Sequence, residues 1–192
     1  MKRTSKPRIV ILLGSPRRKG NSATLAAKVA AGAKAAGASV ESFYLHGMNI
    51  KPCTACDACR DDIEKNCVMQ DDMQILYPKL RAADAIVIAS PIYWFTVSAQ
   101  TKLFMDRCYA LGGPQGYAFK GKRIGIVLTY EDADPFKSGA VNALRMFQDG
   151  FDYVGAKIVG MVYGRAGKAG AIKANKPLLR EARELGKQLA IR

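Results

Sequence analysis

The sequence predicts an α/β fold in which a parallel sheet of five strands carries helices on both faces. Two observations point there. Short apolar runs recur along the chain, the kind that forms strands buried on both sides, and each is followed by a segment with helical spacing. No repeat, low-complexity tract or linker interrupts the alternation. The 192 residues, 49% of them hydrophobic, therefore read as one domain with one sizeable core.

The first strand is RIVILL, residues 8–13, and a polar loop follows over 14–22. Residues 23–36 are dominated by alanine, with Leu25, Val29 and Gly32 on one face and Gly37 placed to end the helix. Residues 40–45 read as the second strand. Beyond a cysteine-rich insertion at about 46–70, Asp71 and Asp72 offer an N-cap for a helix running toward Ala83, in which Pro78 predicts a kink or a restart. The third strand covers 85–89, followed by a loop over 90–97 and a helix over 98–111. A fourth strand at 123–129, a helix over 136–154, a fifth strand at 157–163 and a last helix after 174 complete the series. In such sheets a ligand lies beyond the carboxyl ends of the strands, where the strand order reverses. The loops after the first, third and fourth strands are thus the places to look.

The formal net charge of +14 is concentrated at the ends. Residues 1–20 hold seven Lys/Arg and no acid, and residues 165–192 hold eight against Glu181 and Glu184, which leaves +1 for the stretch between. Neither end offers a reading helix or an aromatic stacking platform, so a nucleic-acid partner is not expected; the basic ends read as solvated surface. The uncharged run from Ile9 to Leu13 is too short for a signal-peptide core, and nothing approaches the ~20 apolar residues of a membrane span. A cytoplasmic chain with reduced thiols and no membrane partner is the expectation.

The loop 14-GSPRRKGNS-22 leaves a strand and enters a helix. Its backbone N–H groups, the positive end of the helix dipole and the side chains of Ser15, Arg17, Asn21 and Ser22 suit one anion. It is not a Walker A loop: five residues separate Gly14 from Gly20, and Asn21 stands where the lysine would be. Nor does it match the G-x-G-x-x-G dinucleotide turn. A terminal phosphate monoester bound without metal fits what remains. The third-strand loop reads 90-SPIYWFTVSAQTKLFMDR-107, and its successive aromatics Tyr93, Trp94 and Phe95 suit a pocket or interface for a flat apolar ligand.

GSPRxxGNS after the first strand, the cysteine segment ending in CxxxDDM, and SPIYWFxxSAQxKxFxDR together resemble the flavodoxin-like NADPH-dependent FMN reductase family, and within it the iron-sulfur flavoproteins of anaerobes. The resemblance extends to 132-DADPFKSGA-140 and 159-VGMVYG-164. It implies a flavodoxin-like three-layer sandwich with sheet order 2-1-3-4-5 and bound FMN. Carried over residue by residue, Ser15, Arg17, Asn21 and Ser22 hold the phosphate, and Pro91, Ile92, Tyr93, Trp94 and Phe95 border the isoalloxazine. Thr129, Tyr130 and Glu131 close the other side, although this loop departs from the Gly-rich form common among the reductases. The resemblance also implies NAD(P)H as donor, a small-molecule or ferredoxin-like redox partner, and a homodimer or homotetramer. No side chain is needed as catalyst, because the flavin carries the chemistry. Lys102, Asp106 and Arg107 match the family but are read as holding their helix to its neighbours. Cys108 is read as a buried apolar thiol and His46 as structural.

Four of the five cysteines, Cys53, Cys56, Cys59 and Cys67, form a C-x2-C-x2-C-x7-C run. A zinc site would use finger-like pairs, and a thioredoxin-like dithiol would leave two thiols over. Successive x2 gaps let three thiolates surround one cubane, with the fourth arriving from further along, as in bacterial ferredoxin runs. A four-iron four-sulfur cluster and structural thiols both remain open on spacing. Two classes of function follow: an electron-transfer protein with FMN and a cluster, and a cluster-free NAD(P)H-dependent reductase of a flavin, quinone or similar acceptor.

Overall fold

The computed structural model describes residues 5–60 and 66–191. Its main strands are β1 (Arg8–Leu13), β2 (Ser39–Tyr44), β3 (Ala85–Tyr93), β4 (Arg123–Tyr130) and β5 (Lys157–Arg165), all paired in parallel in the order β2-β1-β3-β4-β5. The helices are α1 (Asn21–Ala35), α2 (Met73–Ala82), α3 (Ala99–Arg107), α4 (Ala140–Tyr153) and α5 (Lys176–Leu189). This is the flavodoxin-like arrangement, with its switch point between β1 and β3.

Successive side chains of a strand point to opposite faces, and the core divides accordingly. Ile9, Ile11, Val87 and Val127 pack under α1 and α5. Val10, Leu12, Ile86, Ile88, Ile124 and Ile126 pack under α2, α3 and α4. Both layers are closed by helices, so the central strands read as unbroken apolar runs.

Three elements differ from expectation. Residues 90–93 continue β3 as strand, paired with β4 through Ser90↔Leu128 and Pro91↔Thr129. Pro91 is tolerated because β1 ends at Leu13, opposite Ala89; the missing N–H of Pro91 faces the side that β1 has vacated. The fourth helix begins at Ala140 instead of 136, because Asp134 Oδ1 accepts the Phe136 and Lys137 N–H groups and holds a separate turn ahead of it. Pro78 neither breaks nor restarts α2. It sits on the exposed face, where water can take the carbonyl that its missing N–H leaves free.

Candidate functional site

At the carboxyl ends of β1, β3, β4 and β5 lies a cavity of about 120 Å³. Three of its walls are the expected loops: Ser15, Arg17, Asn21 and Ser22; Pro91, Ile92 and Tyr93; and Thr129, Tyr130 and Glu131. Gly20, Ala166 and Gly167 complete it. The N–H groups of Asn21, Ser22 and Ala23 precede the first backbone bond of α1, made by Thr24 N–H to the Gly20 carbonyl, so they stand free at the helix's positive end. No acid occupies that first turn. The hydroxyls of Ser15 and Ser22 are buried beside it, and Ser15 Oγ accepts the Arg17 N–H at 3.1 Å.

The loop is anchored from below. Gly14 N–H donates to the Ala89 carbonyl at 2.8 Å, and its own carbonyl accepts from Ser98 Oγ at 2.6 Å. Ser98 also caps α3 by accepting from Thr101 N–H. A Cβ at Gly14 would come within 1.9 Å of Thr101 Oγ1, so only glycine permits this approach. The SAQT stretch therefore supports the phosphate-type loop from the side away from the cavity.

Asn21 lines the cavity, but its side chain points its hydrogen bonds elsewhere. Nδ2 donates to the carbonyls of Ala166 and Lys168, both at 2.9 Å, and Oδ1 accepts the Ile172 N–H. It ties the loop after β5 to the start of α1 and so sets the wall made by Ala166 and Gly167. Opposite, burial pushes the Tyr130 phenol up, with the neighbouring Tyr163 and Asp134 adding to it, so Tyr130 is a hydrogen-bond donor at neutral pH.

Trp94 and Phe95 do not line the cavity, in contrast to the sequence reading. They are the two central residues of a hairpin in which Ile92 and Tyr93 pair antiparallel with Val97 and Thr96. Both have positive φ, 48° and 66°, the geometry of a type I′ turn. The rings project outward, Trp94 with 92% exposure. Left-handed backbone costs roughly 1–2 kcal/mol at each such residue, and the tip is braced by Asn142 Nδ2 donating to the Phe95 carbonyl at 3.1 Å. Gly139, at φ 73°, lies so close that a Cβ there would sit 2.6 Å from Phe95 Cα.

The cysteine segment runs from the end of β2 to the start of α2. Cys53 and Cys56 are exposed, while Cys59 and Cys67 are buried against the α2–α4 core. Ala55 and Asp57, one in each x2 gap, have positive φ, and Ala55 N–H donates to Cys53 Sγ at 3.4 Å. Burial pushes the Cys59 thiol up, and the charges of Cys67, Cys53 and Cys56 reinforce it. Cys56, fully solvated, is lowered by backbone N–H and Thr54 hydrogen bonds. Among the described residues no three Cys, His, Asp or Glu side chains converge closely enough to hold a metal ion.

A buried ion pair fixes both roots of this segment. Arg107, at the end of α3, bonds both carboxylate oxygens of Asp71 and the Lys51 carbonyl, while Asp71 accepts the Lys51 and Met73 N–H groups at 3.0 Å. Burial alone would push the Asp71 carboxyl up, but Arg107 and the two N–H donors hold it below the ordinary carboxylate value. Lys102 and Asp106 instead form a surface pair along α3. Cys108 is half-buried, not fully enclosed as expected; desolvation pushes its thiol well up, and its Sγ–H is directed at the Phe104 carbonyl. His46 is exposed, with Nδ1 2.8 Å from Gln100 Nε2.

The family model for NADPH-dependent FMN reductases matches residues 7–171. The chain belongs to this family. An iron-sulfur flavoprotein of Methanosarcina thermophila is 35% identical over 122 residues, 64% of this chain and 62% of that relative. An oxidoreductase of Bacillus subtilis (strain 168), proposed to be NAD(P)H-dependent and FMN-containing, is 27% identical over 185 residues, 94% of this chain and 97% of its own. Among solved structures, an NAD(P)H:quinone oxidoreductase from Methanothermobacter marburgensis superposes with a TM-score of 0.76 at 20% identity, covering 98% of this chain and 99% of that one. The match thus spans a little over three-fifths of the iron-sulfur relative's length. No helix among the described residues is long and apolar enough to cross a membrane.

Proposed function

We propose that this chain is an FMN-dependent oxidoreductase whose strand-end cavity binds FMN, with Cys53, Cys56, Cys59 and Cys67 carrying a four-iron four-sulfur cluster. The observation that carries the flavin reading is the convergence of the Ser15–Ser22, Pro91–Tyr93 and Thr129–Glu131 walls on one cavity at the switch point. The free N–H groups of α1, Ser15, Ser22 and Arg17 would hold the phosphate, charge-assisted by Arg17. Asn21 acts through the Ala166–Lys168 loop that it positions. Pro91, Ile92 and Tyr93 would border the ring on one side and Thr129, Tyr130 and Glu131 on the other. The bound flavin supplies hydride acceptance and one-electron transfer; the protein supplies orientation and electrostatics. Family membership supports NAD(P)H as the donor.

The cluster reading is supported by the C-x2-C-x2-C-x7-C spacing and the N–H donor to Cys53 sulfur. The M. thermophila relative's name agrees with it. A ferredoxin-like partner and a homodimer or homotetramer belong to the same reading. The dispersed thiol positions favour a second reading, a cluster-free reductase of a quinone or similar acceptor, which the B. subtilis relative's coverage of nearly the whole chain also suits. Anaerobic purification with a visible spectrum and iron, sulfide and zinc analysis separates the two. About four irons per chain, with broad absorbance beneath the flavin bands, is the expected result; a flavin spectrum without iron gives the protein to the second reading.

A further inference from the structure

Among the side chains that line the strand-end cavity, only Arg17 and Glu131 carry charge, and they come from different walls. Arg17 belongs to the phosphate-type loop after β1. Glu131 follows the last residue of β4, on a wall assigned to the ring.

The backbone around Glu131 is fixed on both sides. Tyr130 pairs with Arg165 across β4 and β5, the Tyr130 carbonyl accepts the Ala166 N–H at 2.6 Å, and the Glu131 carbonyl accepts from Arg165 Nε at 2.9 Å. The side chain lies along Gly167, which also lines the cavity: a Cβ built there would sit 3.2 Å from Glu131 Cγ and 3.3 Å from Oε1. Gly167 thus leaves room for the carboxylate to run along the wall. Arg165 spends its Nε on the Glu131 carbonyl, and the carboxylate itself has no hydrogen bond or ion pair among the described residues. Its charge is left for whatever occupies the cavity.

We infer that Glu131 sets the reduction potential of the flavin, its carboxylate favouring the oxidised ring over the reduced one and making the bound flavin a stronger reductant. The inference rests on the reading of this cavity as the FMN site. Hydride transfer from a nicotinamide donor brings two electrons and one proton to the ring, so the neutral ring becomes a monoanion and the nicotinamide leaves as its cation. A fixed negative charge on the wall raises the energy of the charged ring and acts far less on the neutral one. Glu131 is exposed, and screening by water keeps the effect modest. We expect about tenfold in the ratio of Kd for reduced to oxidised FMN, equal to about 30 mV in the two-electron potential.

The test is anaerobic dithionite titration of the FMN-loaded full chain against a redox dye of known potential, above neutral pH and followed at the flavin bands. Glu131→Gln should raise the two-electron potential by about 30 mV, and Glu131→Asp should keep it near the unsubstituted value. Asp132→Asn removes the adjacent exposed charge, which does not line the cavity, and should leave the potential in place. Equal potentials in the unsubstituted chain and Glu131→Gln, with FMN retained by both, would overturn the inference and spare the cavity reading. So would loss of FMN from Glu131→Gln, or an equal rise in Asp132→Asn, which would make the effect one of overall charge. Failure of the unsubstituted chain to take up FMN would overturn the cavity reading and the inference with it.

Discussion

Replacing Arg107 with methionine should destabilise the protein by about 3 kcal/mol, at the low end of the range for breaking a buried ion pair from one side. The side chains of Arg107 and Asp71 are 1% and 0% exposed, so removing the guanidinium strands a carboxylate that water does not reach. The figure stays low because Asp71 keeps the Lys51 and Met73 N–H donors. With a urea m-value of about 2 kcal/mol/M, the unfolding midpoint should fall by about 1.5 M. Adding Asp71→Asn should recover part of the loss, since a neutral amide no longer needs the cation. Because the pair clamps the chain on both sides of the cysteine run, Arg107→Met should also speed alkylation of Cys59. A midpoint shift under about 0.5 M, or a double variant as unstable as the sum of the singles, would refute the clamp. The pair has a pH signature too. The folded-state pKa of Asp71 is depressed, so its stabilisation is present above the unfolded value of about 3.9 and is lost as pH falls through the folded value. Asp71→Asn should flatten that acid limb.

Phe95→Gly should raise stability by roughly 1 kcal/mol, because glycine adopts the left-handed turn without strain; an unchanged thermal midpoint would show that the tip is not strained. Asn142→Ala, which removes the brace on the Phe95 carbonyl, should cost about 1 kcal/mol in the same assay. Gly14→Ala, driven into Thr101, should cost about 1–3 kcal/mol, measured by urea unfolding. At neutral pH iodoacetamide should label the solvated, acidified Cys56 before Cys59 or Cys108, read by mass spectrometry of the timed digest.

The sheet was legible because its strands are buried on both faces and announce themselves as apolar runs; RIVILL needs no context to read as strand. Where β3 ends was not legible. Pro91 signals a loop, and only the register with β4 and the early end of β1 make it strand. Likewise YWF reads as lining a pocket or an interface, and Tyr93 does line the cavity; that Trp94 and Phe95 form a hairpin tip was hidden, since two-residue hairpins with positive φ ordinarily carry Asn and Gly and the brace from Asn142 and Gly139 has no local sequence signal. The phosphate-type loop was read from its strand-to-helix placement, and its residues do meet at the cavity. Ala166 and Gly167 were missed because they bear no chemistry of their own, although a small-residue pair just past the carboxyl end of β5 was the available hint. The DDM cap was read for its helix, but Asp71 turned out to serve Arg107 as well, a pairing across thirty-six positions that spacing cannot disclose.

Fluorescence titration of the apo chain with FMN and with riboflavin tests the central claim most directly, since the two ligands differ only in the phosphate that the α1 turn is built to hold. FMN should bind one per chain and about 100-fold or more tighter than riboflavin, and Arg17→Ala should narrow the gap by about tenfold. Equal affinity for the two flavins, or a gap that Arg17→Ala leaves untouched, would contradict the assignment of this cavity.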